Sequence, residues 1–163
     1  MSIKLYIASP LGFNEAGQFF MQQCLFPLLQ NHNIQIIDPW SLTPPALINQ
    51  ISLLHQGPNR ISQWQVLNKQ IAQNNCNGIL SADAMLAILD GADIDSGTAA
   101  EIGFAAAHKK LIIGYRNDFR LAGDNEGALI NLQVQYFIQA SGGVILNSLS
   151  QLNSYLPQLK IVK

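Results

Sequence analysis

The sequence predicts an α/β fold, a single doubly wound sheet of five parallel strands with helices on both faces. Three observations lead there. Short apolar runs alternate with stretches of helical periodicity through all 163 residues, the pattern of parallel strands joined by helical crossovers. The run from Ala84 to Leu89 carries no polar side chain, as a strand covered on both faces requires. Right-handed crossovers then favour the flavodoxin-like strand order 2-1-3-4-5, with its switch point between strands one and three.

Leu5 to Ala8 reads as the first strand, closed by Ser9-Pro10 and Gly12. Glu15 to Leu29 reads as a helix, with Phe19, Phe20, Cys24 and Leu28 at helical spacing and Pro27 set to kink its last turn. Ile34 to Ile37 is the second strand, stopped by Asp38-Pro39. Residues 40–60, rich in Pro, Ser, Asn and Gln, form an excursion with one helical turn around Ala46 to Leu54. An insert of that length in a small domain points to a lid or a binding wall. A helix over Ser62 to Asn74 is expected to stop at Asn74-Asn75-Cys76-Asn77-Gly78.

The third strand, Ala84 to Leu89, leads into a loop with Asp90, Asp93 and Asp95, then a helix from Gly97 to Ala107. His108-Lys109-Lys110 follows, basic as a helix C-terminus prefers. Leu111 to Tyr115 is the fourth strand, residues 116–127 a polar loop, and Ala128 to Ala140 a helix broken by Ser141-Gly142-Gly143. Val144 to Leu146 is a short fifth strand and Ser148 to Leu156 the closing helix. No repeat or low-complexity segment interrupts the pattern, so residues 1–163 read as one domain, with 40–60 as its insert.

The chain is 48% hydrophobic and 12% charged with a formal net charge of -1, a composition that argues against nucleic-acid or anionic-membrane surfaces. No run is long enough to span a bilayer, and the N-terminal residues lack the flanks of a signal peptide. Cys24 and Cys76 are too few and too far apart for a disulfide framework, so reduced thiols in a cytoplasmic protein are expected. So few charges on so apolar a chain also hint at surface hidden between subunits.

In an open α/β sheet, ligands sit outside the carboxyl ends of the strands, which singles out Asp90 to Glu101. Glu101, expected in the first turn of its helix, is the candidate centre of the chemistry, favoured there as an anion by about 0.3–1 kcal/mol. Thr98-Ala99-Ala100-Glu101 also spells a capping box, with Thr98 as cap and Glu101 reaching back to its amide. Asp95 and Ser96 are equally good caps, so both readings stand. Asp83, at the start of its strand, reads as structural. There is no GxGxxG and no Walker-type loop. His32, His55 and His108 form no metal spacing, and the three aspartates lack the Gly and distal Glu of a calcium loop. No cofactor and no metal are expected. A pocket of carboxylates, amides and aromatics suits chemistry at an acetal carbon, where a carboxylate can trap an oxocarbenium-like centre.

DGADIDSGTAAEIGFA, with KLYIASPLGF near the start and INLQVQYFI near the end, resembles the nucleoside 2-deoxyribosyltransferase family over nearly the whole chain. The resemblance implies ping-pong transfer of 2-deoxyribose between purine or pyrimidine bases. It places the nucleophile on Glu101, a tyrosine that holds that glutamate on Tyr6, and an acid that contacts substrate and helps protonate the departing base on Asp95. It implies substrate contacts for Phe13, Asp90 and Gln133. It also implies a homo-oligomer, dimeric or larger, in which Asn131 completes a neighbour's site. One position departs from the family. Asn75 stands where the best-known members carry a second aspartate, and an amide cannot act as an acid.

Two rivals share the fold. A nucleoside 5′-monophosphate N-glycosidase needs a phosphate site near the first strand's loop, and SPLGFNEAG offers no Arg or Lys. A cytokinin-activating phosphoribohydrolase would carry Pro-Gly-Gly before its Gly-Thr, and this sequence does not. From another class, a non-catalytic nucleotide-binding module is what remains if Glu101 is only a capping residue.

Overall fold

Alternation along β1 (Ile3–Ala8) sorts the core into two layers. Leu5 and Ile7 point into one layer, Tyr6 and Ala8 into the other, and all four are fully buried. In the computed structural model, which describes residues 2–159, β1 lies between β2 and β3 in a sheet of five parallel strands in the order β2-β1-β3-β4-β5. The others are β2 (Ile34–Ile37), β3 (Ala84–Ile88), β4 (Leu111–Tyr115) and β5 (Ile145–Leu146). The predicted order is the observed one. Met1 and residues 160–163, the ends of the span expected to form the domain, lie outside the described residues.

One layer is filled by Met21, Leu25 and Leu29 from the first helical stretch and by Leu152 near the C-terminus. That first stretch is not one helix. It comprises α1 (Glu15–Phe20), a π turn (Met21–Leu25) and α2 (Phe26–Asn31). Pro27 explains the π turn: it cannot donate to the carbonyl four residues back, and its ring crowds that turn. The Phe26 N–H reaches instead to the Met21 carbonyl, five residues back.

The other layer takes Ile79, Ile102, Val134 and Ile138 from α4 (Pro58–Ser81), α5 (Ser96–Ala107) and α6 (Leu132–Ala140). Between β2 and α4 lie a 3-10 turn (Pro39–Ser41) and α3 (Pro45–Ser52), so the excursion is more helical than expected. Helix α7 (Leu149–Tyr155), capped by Ser148, closes the chain over the first layer. Asp83 is structural, as predicted: its carboxylate accepts from the Lys4 N–H at 2.8 Å and starts the β1–β3 ladder.

Two helix limits differ from expectation. Helix α4 does not stop at the Asn-rich segment but runs on to Ser81. Asparagine breaks helices when its side chain competes for the backbone, and here those side chains are occupied elsewhere. Asn74 Nδ2 donates to Leu42 O and Thr43 Oγ1, each at 3.2 Å, and Asn77 Oδ1 accepts from Gln73 Nε2 at 3.0 Å. Gly78 is where α4 crosses β1: a Cβ there would stand 3.0 Å from the Tyr6 ring and from Leu42. Helix α6 begins at Leu132 rather than Ala128, because the Asn131 carboxamide accepts from the Gln133 and Val134 N–H groups and sets the N-terminus there.

Candidate active site

Tyr6 and Glu101 meet at the carboxyl end of β1. The Tyr6 hydroxyl donates to Glu101 Oε1 at 2.7 Å, across 95 residues of sequence. Asn75, carried inward because α4 continues past it, donates from Nδ2 to the same oxygen at 3.3 Å. Among the described residues no donor reaches Oε2, so that oxygen is left free to act. Ser9, Phe13, Pro39, Trp40, Ile71, Asp95, Gly97 and Thr98 complete a cleft of about 300 Å³ around these groups.

The local reason for each placement is simple. Asp95 is the N-cap of α5: its Oδ2 accepts from the Thr98 N–H at 2.9 Å and from the Thr98 hydroxyl at 3.2 Å. The capping box with Thr98 as cap is therefore not formed, and Glu101 is released from it. Glu101 is the sixth residue of α5 and lies in the second turn, not the first. The helix dipole fades beyond the first turn, so Tyr6 and Asn75, rather than the helix end, hold the carboxylate as an anion.

Burial is the largest influence on Glu101 and pushes its carboxyl above the usual range. The Tyr6 hydrogen bond opposes that, the nearby charge of Asp95 adds to it, and the Asn75 bond opposes it again. Tyr6 is driven far above the ordinary phenol range, first by burial and then by the Glu101 charge and hydrogen bond, so it stays a donor. A nucleophilic Glu101 would react as the anion, so activity would be lost as pH falls through its raised value. The acid limb of a pH–rate profile is expected above the ordinary glutamate value of about 4.3. Tyr6→Phe removes a bond that favours the charged form, so that limb should move to still higher pH. An unmoved limb would show that Tyr6 does not tune the carboxylate.

The aromatic wall joins the excursion to the first strand's loop. Phe13 packs edge-on against Trp40 with ring centroids 4.6 Å apart, and Trp40 Nε1 donates to Ser9 O at 3.3 Å. Gly12 lets the loop lie against Trp40, since a Cβ would come within 2.1 Å of the indole. Of the excursion, only Trp40 reaches the cleft, beside Pro39 from the strand stop before it. Phe13 is 75% exposed, which places it on the cleft's rim and not in the core.

Three predicted residues do not line this cleft. Asp90 accepts from the Asn117 and Asp118 N–H groups at 2.6 and 2.8 Å, so its carboxylate ties together the loops after β3 and β4. Asn131 caps α6, and Gln133 is exposed in its first turn. Among the described residues no cluster of three His, Cys, Asp or Glu side chains could hold a metal, and no helix is long and apolar enough to cross a membrane.

The family model for nucleoside 2-deoxyribosyltransferases matches residues 5–133. The chain belongs to that family. Similar solved structures include a conserved protein from Enterococcus faecalis V583, at 23% identity over 97% of this chain and 99% of that one, with a TM-score of 0.68. A 2-desoxiribosyltransferase from Leishmania mexicana is 19% identical over 97% and 99%, with a TM-score of 0.67. A CMP N-glycosidase from Clostridium botulinum is 15% identical over 96% and 99%, with a TM-score of 0.56. At these identities the likeness speaks for the fold. No curated protein matches the chain.

Within the deoxyribosyltransferase fold of this chain, sequence reasoning missed Trp40, Ile71 and Ser9 as cleft residues. Trp40 had a signal, an aromatic directly after the Asp38-Pro39 strand stop, which puts it at the carboxyl edge of the sheet. Ile71 had none, because its face of α4 is fixed only by where the helix crosses β1.

Proposed function

We propose that the protein transfers 2-deoxyribose between purine or pyrimidine bases through a covalent deoxyribosyl–Glu101 intermediate. The observation that carries this reading is the Glu101 carboxylate, fastened at Oε1 by Tyr6 and Asn75 and free at Oε2 inside an aromatic-walled cleft. Oε2 attacks the anomeric carbon as the C–N bond to the base breaks. The bond's electron pair stays with the base nitrogen, which takes a proton by way of Asp95 and water. A second base then attacks the anomeric carbon through a ring nitrogen and gives its N–H proton back by way of Asp95 and water. The electron pair of the ester bond returns to Glu101. Deoxyribose lacks the 2-hydroxyl that would destabilise the oxocarbenium-like transition state, so a modestly activated carboxylate suffices. Such a reaction returns free bases to the deoxynucleoside pool.

The cleft's electrostatics support a nucleoside over a nucleotide. Among the described residues no Lys or Arg lines it, and the Ser9 hydroxyl already accepts from the Leu11 N–H at 3.0 Å. A 5′-phosphate would find no cation there. Hydrolysis of a nucleoside 5′-monophosphate stays the second reading because the Clostridium botulinum CMP N-glycosidase shares the fold. In this proposal the protein acts as a homo-oligomer, and Asn131 of a second copy completes the cleft.

The test is base exchange without added phosphate: thymidine or deoxyinosine with free adenine, followed by chromatography with a no-acceptor control. Deoxyadenosine is the expected product. Free base released from a monophosphate, with no exchange, would replace this reading by the hydrolase. Transfer further needs the intermediate shielded from water, and Trp40 is the excursion's contribution to that shield. Trp40→Ala is expected to raise the share of hydrolysis over transfer several-fold. An unchanged ratio would remove the excursion from this role.

A further inference from the structure

Trp40 is a wall of two cavities. It closes the cleft around Glu101, and it also lines a second cavity of about 490 Å³, against about 300 Å³ for the cleft. Among the described residues no other lining residue is common to both. The second cavity lies where α1 and the π turn face the end of β2. Gln18 and Gln22 supply carboxamides, Met21 and Phe26 apolar surface, and Asp38 a carboxylate. Such π turns recur at functional sites, and this one carries Met21 and Gln22 to the cavity wall.

The polar groups there keep hydrogen-bonding capacity that the fold does not use. Asp38 Oδ1 accepts from the Trp40 N–H at 3.2 Å and starts the 3-10 turn. Among the described residues its Oδ2 has no donor, and no Lys, Arg or His lines the cavity. Gln18 Nε2 donates to Gly12 O at 2.8 Å, which leaves its Oε1 over. Gln22, exposed at the rim, offers both ends of its amide. Burial pushes the Asp38 carboxyl above the usual range, against the pull of the Trp40 N–H. A partly buried carboxylate without a counter-charge is costly, and a ligand that donates to it relieves that cost. A phosphate or another anion would be repelled. The complement is a flat heteroaromatic ring with N–H donors and an acceptor on its edge and apolar faces for Trp40, Phe26 and Met21.

We infer that this cavity is a second, non-catalytic site for a free nucleobase, held with its N–H edge on Asp38 and separated from the catalytic cleft by the Trp40 indole. The inference rests on the deoxyribosyltransferase reading only for its choice of ligand, since in that reading free bases leave and enter the cleft beside the same indole. The two cavities share a wall and no chemistry, so they can be tested apart.

The experiment is calorimetric titration of the full chain with free adenine, on wild type, Gln22→Trp and Asp38→Asn. Wild type is expected to bind two adenines per chain. Gln22→Trp, which fills the second cavity from its rim, should bind one. Asp38→Asn keeps an oxygen for the Trp40 N–H but loses the charge. One of its two affinities should fall about tenfold while the other stays within twofold of wild type. Fewer than two adenines on wild type would overturn the inference. Two adenines on Gln22→Trp, with both affinities unchanged in Asp38→Asn, would overturn it as well. So would choline binding as tightly as adenine in competition for the second site, which would make it a site for cations. Base exchange is measured on the same samples. Its absence with two adenines bound would remove the transferase reading and leave the second site standing, whereas exchange with one adenine bound removes the second site alone.

Discussion

Glu101→Gln is expected to lose base exchange by at least about 10³-fold, the scale for removing a nucleophile from a covalent mechanism, and to lose no stability. The two halves of that result come from different physics. Gln lacks the anionic oxygen that must bond the anomeric carbon, so no intermediate forms. Its carbonyl oxygen can still accept from Tyr6 and Asn75, so the contacts seen at Oε1 survive. The raised carboxyl of Glu101 means that its ionised form weighs against the folded state at neutral pH. Removing it should leave the melting temperature unchanged or slightly higher at pH 7. That difference should shrink as pH falls through the raised value, where wild-type Glu101 becomes neutral too. Mass spectrometry of wild type quenched with a deoxynucleoside should find one deoxyribosyl unit on the peptide containing Glu101, and none in the variant. Exchange that persists in Glu101→Gln would leave the cleft as a binding site with its chemistry elsewhere.

How legible this was from sequence depends on whether a feature is local. The strands and their order follow from apolar runs and from the handedness of crossovers, and these are local signals plus one general rule. Tyr6 is singled out only through the family resemblance, whereas Asp95 is also legible locally as a candidate helix cap. Asn75 is legible only in part. Its residue type warns of a break in the helix, and it took the partners of Asn74 and Asn77 to show that the helix continues. The first-turn position of Glu101 failed for a related reason: several residues could cap α5, and the choice of Asp95 over Thr98 moved the glutamate a turn along. Asp90 lies outside the cleft on loop amides, because a carboxylate after a strand serves these as readily as a substrate and sequence does not say which lies closer. Arg116 drew no functional expectation at all, although it is among the few buried charged or polar side chains.

Arg116→Met is expected to be the most destabilising single change in the chain's loops. Arg116 is 2% exposed, and among the described residues its guanidinium forms no salt bridge. It donates to the Leu89 carbonyl, to Gly91 O at 3.1 Å and to Arg120 O at 2.7 Å. Those contacts bind the loop after β3 to the loop after β4, and the Asp90 carboxylate and the Gly91 N–H, which donates to Asp118 Oδ2 at 3.2 Å, repeat the tie. Two effects compete on substitution. Met removes a buried charge, which favours the folded state, but it strands three carbonyls at a cost of about 1–3 kcal/mol each. The carbonyls outweigh the charge, because they already solvate the two terminal guanidinium nitrogens, leaving only Nε without a partner among the described residues, and the thioether replaces none. A net loss of about 3 kcal/mol corresponds to a fall in melting temperature of roughly 6–12 °C for a domain of this size. Arg116→Lys keeps the charge but has a single nitrogen and no fork, so it should recover only part of that loss. The consequence for function runs through Asp95, which caps α5 at the far end of the same loop. KM for the nucleoside is expected to rise in Arg116→Lys under conditions where the variant is fully folded. A melting temperature within 2 °C of wild type in Arg116→Met would mean that the two loops hold each other without the guanidinium.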